Sequence, residues 1–275
     1  VPQFQRNAAP INNQILQQNF NVRALRNQRG QIAQNVFHSP FSGPVTAAKI
    51  GQSVADAVRF LRACQKPDGS MEEHLIHYSQ GAGTVMAALA MLAAGGDPAS
   101  DEPLRRALDW LKKQEIENTY FRAVRANVWE YALRKAPYDD EIRRALELDA
   151  AWLMKALRDK EGWRYLMSSK DWDNSVTQYG VLGMWAAARA GFAPDDAFWQ
   201  KMSRHFRSCQ NDDGGWGYVR NGSTPNMATA GLASGEPSSG ELANHDPATN
   251  ETADAKLPEG GSVVRQVSMS SEDVK

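Results

Sequence analysis

An all-α fold of paired helices is what this sequence predicts. Three observations point there: a signature that recurs along the chain, apolar runs of helical period with no convincing period-two alternation, and proline–glycine punctuation that cuts the runs into pairs. One helix-like run ends in Phe60, Leu61, Gln65, Gly69 and Met71, and a later one ends in Phe206, Gln210, Gly214 and Trp216. The two glutamines lie 145 residues apart, about three repeat lengths of some 48 residues. In a repeat of that size each unit is one supersecondary element that needs its neighbours to cover its apolar face.

The pairs follow in order. The first is Ser53–Gln65 with Gly81–Ala94, split by the turn Lys66-Pro67-Asp68-Gly69-Ser70 and closed by Gly95, Gly96 and Pro98. The second is Glu102–Glu115 with Tyr120–Arg134, closed by Pro137. Asp140–Arg158 with Ser175–Ala190 forms the third, closed by Gly191 and Pro194. Asp196–Cys209 opens the fourth, whose second helix is the short candidate Thr224–Ala233. First helices are charged and amphipathic: Leu104, Leu108 and Leu111 make one stripe among Arg105, Arg106, Lys112 and Lys113. Second helices such as 84–94 and 183–188 are small-residue-rich and apolar nearly all round, so they must be buried on every side. Charged helices outside and apolar helices inside make a double-walled curved array, an α/α barrel or an open piece of one.

Outside the repeats the composition changes. Residues 1–44 are Gln/Asn-rich, with Pro2, Pro10, Pro40 and Pro44, and read as a disordered lead-in holding at most a short helix near 12–26. Residues 236–275 are rich in Ser, Gly, Glu, Asp, Ala and Pro and read as a disordered tail. The repeat domain is therefore expected over 45–235. A formal net charge of −1 gives no electrostatic reason to expect nucleic acid or an anionic membrane surface, and no nucleotide or flavin motif stands out. No apolar run reaches the roughly 20 residues of a transmembrane helix. Cys64 and Cys209 hold the same place in two repeats and read as separate buried thiols. A start at Val1 rather than Met suggests a processed product, for which an exported or envelope-associated location is the expectation.

These residues resemble the prenyltransferase/squalene-cyclase (terpenoid cyclase) repeat family, whose signature runs basic, small, aromatic, aliphatic, then Gln-x-x-x-Gly-x-Trp. Ala57, Phe60, Leu61, Gln65 and Gly69 fit it in the first pair, with Asp56 and Met71 off the pattern. Arg106, Ala107, Trp110 and Leu111 fit in the second, where Glu115 replaces the glutamine. The third keeps Trp152 and Leu153 with a displaced Gly162-Trp163, and the fourth keeps Lys201, Gln210, Gly214 and Trp216. The resemblance spans roughly residues 50–235 and implies an α/α toroid. Closed toroids of the family use about five to seven hairpins, each covering the next. About four are visible here, so an oligomer or further sequence would complete the ring. In physical terms the glutamine ends an outer helix and can satisfy orphan backbone groups, the glycine allows a positive-φ turn, and the Trp covers the neighbouring helix.

Asp171, Trp172, Asp173, Asn174, Ser175 and Val176 stand directly before an inner helix and resemble the Asp-x-Asp-Asp-Thr-Ala motif of squalene-type cyclases. That resemblance implies Asp173 as the general acid that protonates an alkene, supported by Asp171 and Trp172. Asn174, Ser175 and Val176 depart from it. The other reading of Asp173 is a helix N-cap, and a third is a polar role at a cavity mouth with Thr177, Gln178 and Tyr179. Cyclases also line the cavity with aromatic rings that stabilise carbocations, which implies Tyr120, Phe121, Trp129, Tyr131, Tyr179 and Trp185 as lining residues. Aromatics at helical spacing are more often core residues than a cation cage.

No metal site is expected. His74 and His77 have helical ligand spacing but no evident third ligand, and neither cysteine carries the Asp that zinc-dependent prenyl transfer needs. Asp139, Asp140, Asp195 and Asp196 sit at outer-helix starts, where they are natural caps rather than a magnesium motif. The thioester sequence of other relatives of the fold is missing, and no cofactor is expected. The function expected is a non-catalytic binding or scaffolding module with a concave face for a hydrophobic ligand, a peptide or a partner domain. The alternative is a terpenoid cyclase that uses Asp173 as its acid.

Overall fold

A computed structural model describes residues 27–36, 43–71, 81–157 and 161–235. His74, His77, the expected helix at 12–26 and the expected tail at 236–275 lie outside the described residues. Among the described residues all regular structure is helical, apart from one isolated bridge between Asn118 and Leu166. The helices are α1 (27–36), α2 (Ala47–Cys64), α3 (Ala82–Ala93), α4 (Glu102–Lys112), α5 (Thr119–Lys135), α6 (Asp140–Leu157), α7 (Asn174–Arg189), α8 (Asp196–Ser208) and α9 (Pro225–Gly235). None is long and apolar enough to cross a membrane.

Two differences from the sequence expectation stand out. Helix α1 falls inside the stretch expected to be unstructured, and it lies beside the C-terminal end of α2, where Gln28, Arg29 and Ile32 border a crevice with Ala63 and Cys64. Helix α2 starts well before Ser53, because Thr46 caps it by accepting the Lys49 N–H at 3.3 Å. The other starts follow the caps in the sequence. Asp101, Asn118 and Asp195 accept from the first free N–H groups of α4, α5 and α8, and Asp139 accepts from Ile142 of α6.

The second helices of the pairs pack in series: α3 on α5, α5 on α7, α7 on α9. The first helices lie against them, with α2 and α4 on α3, α6 on α5 and α7, and α8 on α9. The closest meeting is α5 with α7, where a Cβ on Gly183 would stand 2.9 Å from the Ala123 Cα. The core between the layers holds Leu104, Leu111, Trp129, Leu146, Leu153 and Met184, all essentially inaccessible.

The repeat signature forms physical stitches. Gln65 donates to the carbonyls of Gly69 (2.9 Å) and Pro103 (2.8 Å) and accepts from Arg106 (3.1 Å), tying the end of α2 to the start of α4. Gly69, at φ +93°, lies so close to α4 that a Cβ would meet the Arg106 carbonyl oxygen at 2.3 Å. Trp216 donates from Nε1 to the Phe206 carbonyl, and its ring lies on Gly231 of α9. Trp163 does the same with the Leu153 carbonyl and Gly180 of α7. Each Trp follows its partner carbonyl by ten residues, as Met71 follows Leu61. The third tryptophan is therefore in register, not displaced. Only the glycine before it has moved, with Glu161 standing where Gly69 and Gly214 stand.

Candidate functional site

The acidic motif resolves into a helix start. Asp173 Oδ1 accepts the N–H groups of Ser175 (2.8 Å) and Val176 (3.4 Å) and the Ser175 hydroxyl. Its other oxygen lies 4.0 Å from Arg164, which also pairs with the exposed Asp171 at 3.4 Å. In each of these contacts a carboxyl oxygen of Asp173 accepts a hydrogen bond or stands beside a guanidinium.

Asn174, next along, is buried and works as a four-way tie. Its N–H donates to the Tyr218 carbonyl (2.7 Å) and its amide to the Gly217 carbonyl (2.9 Å). Its Oδ1 takes His205 Nε2 at 2.9 Å and the Cys209 thiol at 3.5 Å. The start of α7 is thus bound to α8 and to the 217–218 turn. Trp172 sets its ring edge-on to His205, with centroids 4.8 Å apart. Burial, reinforced by the charge of Arg220, pulls His205 down to about 4 and keeps it neutral, and its Nδ1 has no partner among the described residues. Burial pushes the Cys209 thiol up, so it stays protonated and is not an activated nucleophile. Cys64 is likewise a free thiol.

The aromatic candidates divide. Tyr120 and Tyr179 meet across α5 and α7 with ring centroids 3.8 Å apart, and Phe121 packs edge-on to Tyr120 at 5.1 Å. Burial, and then the Tyr179 hydroxyl, push the Tyr120 phenol well above its ordinary range. Trp185 lies half-buried on the same helix as Tyr179, with the Arg189 guanidinium 5.4 Å from its ring. Tyr131 is also half-buried, beneath Arg134. Trp129 belongs elsewhere. It is wholly buried between the layers and donates from Nε1 to Asp149 of α6 at 2.9 Å, so the lining role expected for it is corrected.

Asp149 is the centre of a cluster that sequence reasoning missed. It is completely buried and also accepts from Arg122 Nη1 (3.1 Å), Arg125 Nε (2.9 Å) and Arg125 Nη2 (2.6 Å). The signal was available. Arg122, Arg125 and Trp129 recur at helical spacing on a helix expected to be buried, and Asp149 sits between Leu146 and Leu153 on the apolar face of α6.

No protein family, curated protein or solved structure matches this chain. Among the described residues no group of three or more His, Cys, Asp or Glu side chains could hold a metal ion. What the arrangement offers is surface chemistry: an aromatic and aliphatic inner row, and a polar helix start already engaged in holding elements together.

Proposed function

We propose that this chain is a prenyltransferase/squalene-cyclase-like repeat domain acting as a non-catalytic binding module for a hydrophobic ligand on the concave inner face of an incomplete α/α toroid. The observation that carries the proposal is the inner row of helices. With α2, α4, α6 and α8 on one side and neighbours along the row, the side of α3, α5, α7 and α9 left accessible carries Met86, Leu89, Tyr120, Tyr179, Trp185 and Leu232. Met86 is 47% and Leu232 67% exposed. An apolar surface shared by successive repeats is where a repeat protein offers a ligand the most contact area.

Asp173 supports binding over catalysis. A general acid must aim an O–H at its substrate, whereas Asp173 accepts from the backbone of its own helix and stands beside Arg164. The test is to titrate the whole chain with squalene and with a long-chain prenyl alcohol, following tryptophan fluorescence, and to extract the mixture for product analysis. Saturable binding, weakened in both Met86→Glu and Leu232→Glu and with no product formed, is expected. Binding indifferent to both substitutions would sink the proposal. Cyclised product that disappears in Asp173→Asn would replace it with the terpenoid-cyclase alternative.

A further inference from the structure

On the outer side of the molecule a groove of about 420 Å³ runs between the turn after α4 and the middle of α6. Two buried guanidinium groups, Arg122 and Arg125, line its floor, and both pair with the buried carboxylate of Asp149 behind them. Two cations share one anion. At the rim stand Lys112, Lys113, Glu115 and Glu117, and the charges of both glutamates reach Arg122. Glu115 and Glu117 are exposed and make no hydrogen bond to either arginine. Lys112 is already paired with Asp109 and Glu141.

The two arginines differ in how far they are satisfied. Arg125 spends its groups on Asp149 and on the carbonyls of Leu111 and Gln114. Arg122 donates only from Nε to the Ile116 carbonyl (2.6 Å) and from Nη1 to Asp149 (3.1 Å). Its Nη2 amino group has no acceptor among the described residues. The guanidinium carbon lies 4.7 Å from the Trp152 ring centroid, and stacking of that kind uses the face of the group and leaves its in-plane N–H edge available. Burial acts most strongly against the Arg122 cation, Asp149 opposes that, the Arg125 charge adds to it, and Glu115 and Glu117 lend the cation further support; the sum lies below the ordinary guanidinium range.

We infer that this groove is an oxyanion site, in which a carboxylate or phosphate group is received by the unfilled N–H edge of Arg122 against the Trp152 ring. An anion there meets the planar donor geometry that favours carboxylate and phosphate over chloride. The groove shares no lining residue with the surface proposed for the hydrophobic ligand, and the inference does not depend on what binds there.

Calorimetric titration of the whole chain with inorganic phosphate and with N-acetylglutamate, against chloride at matched ionic strength, tests this. Saturable heat from phosphate alone assigns a phosphate group, and from the glutamate alone a carboxylate; heat from both supports an unselective oxyanion site. Leu148 is half exposed on the groove wall, so Leu148→Glu should fold normally while placing a competing carboxylate beside Arg122. That variant, and Arg122→Gln where circular dichroism shows it folded, should bind about tenfold more weakly, the loss of one charge-assisted hydrogen bond. No saturable heat from either anion, an equal response to chloride, or undiminished binding by Leu148→Glu would overturn the inference.

Discussion

Acid should loosen this fold through His205 before most carboxylates protonate. His205 is 3% exposed, and burial lowers it from 6.5 to about 4 in the folded chain. The unfolded chain therefore binds a proton that the folded chain refuses. The contribution to stability is complete above pH 6.5 and is lost progressively as pH falls to 4, beyond which it is gone. Between pH 7 and pH 5 the loss is about 2 kcal/mol, and the full loss is roughly 3 kcal/mol at 1.36 kcal/mol per unit. Urea unfolding of the wild type and of His205→Gln at pH 7, 6 and 5 isolates it, since both chains share every carboxylate. Glutamine keeps a donor for Asn174 but cannot titrate. The wild type should lose about 2 kcal/mol more than the variant over that interval. Parallel pH profiles would refute the reasoning and mean that the imidazole is protonated without cost in the folded state.

Asp149→Asn should destabilise the chain by about 3–5 kcal/mol in urea, because Arg122 and Arg125 would stay buried without their anion. Gly69→Ala should cost clearly more than Gly214→Ala in thermal unfolding. Both glycines have positive φ, at +93° and +81°, but only at Gly69 would the new Cβ strike backbone, the Arg106 carbonyl. Asp173→Ala should lose about 1 kcal/mol, the value of an N-cap, while Asp173→Asn stays close to wild type because asparagine caps as well. Met71→Trp should cost about 1–3 kcal/mol by overpacking, and adding Ala87→Gly should recover part of it; strictly additive costs would mean that the two positions do not face each other.

That last pairing shows how far the sequence specified the fold. The Met71 N–H donates to Thr84 Oγ1 at 2.9 Å, just as the Trp163 N–H donates to Thr177 Oγ1 at 3.0 Å. Three residues beyond the threonine stand Ala87 in the first repeat and Gly180 in the third. Where the stitch is Trp the inner helix supplies glycine, and where it is Met, alanine. Helix pairs and most caps were legible because each has a local chemical mark: an aspartate at a start, a glycine or proline at a stop, an amphipathic stripe between. The start of α2 was not, since Thr46 precedes residues such as Ile50 that show no apolar face, and Ile50 is indeed exposed. Helix α1 was hidden in the same way by a Gln/Asn-rich stretch.

Side-chain roles were harder to read wherever a helix is enclosed on several sides. On α4 the stripe of leucines names the buried face unaided. On α5 buried side chains fall on every side of the helix, so period alone cannot say which neighbour each aromatic meets. Tyr120 turned to Tyr179 of α7 and Trp129 to Asp149 of α6. The arginines separate them. A guanidinium buried in the middle of a helix must find a carboxylate or carbonyls, and those lie on the side of the outer layer, on α6 and at the end of α4. Arg122, Arg125 and Trp129 share that side, and Trp129 goes with them. His205 follows the same logic on α8, lying between Met202 and Phe206 on the buried side, where its ring meets Asn174 and Cys209. In both places the polar residue that breaks an apolar pattern, rather than the aromatic that fits it, fixes which way the helix faces.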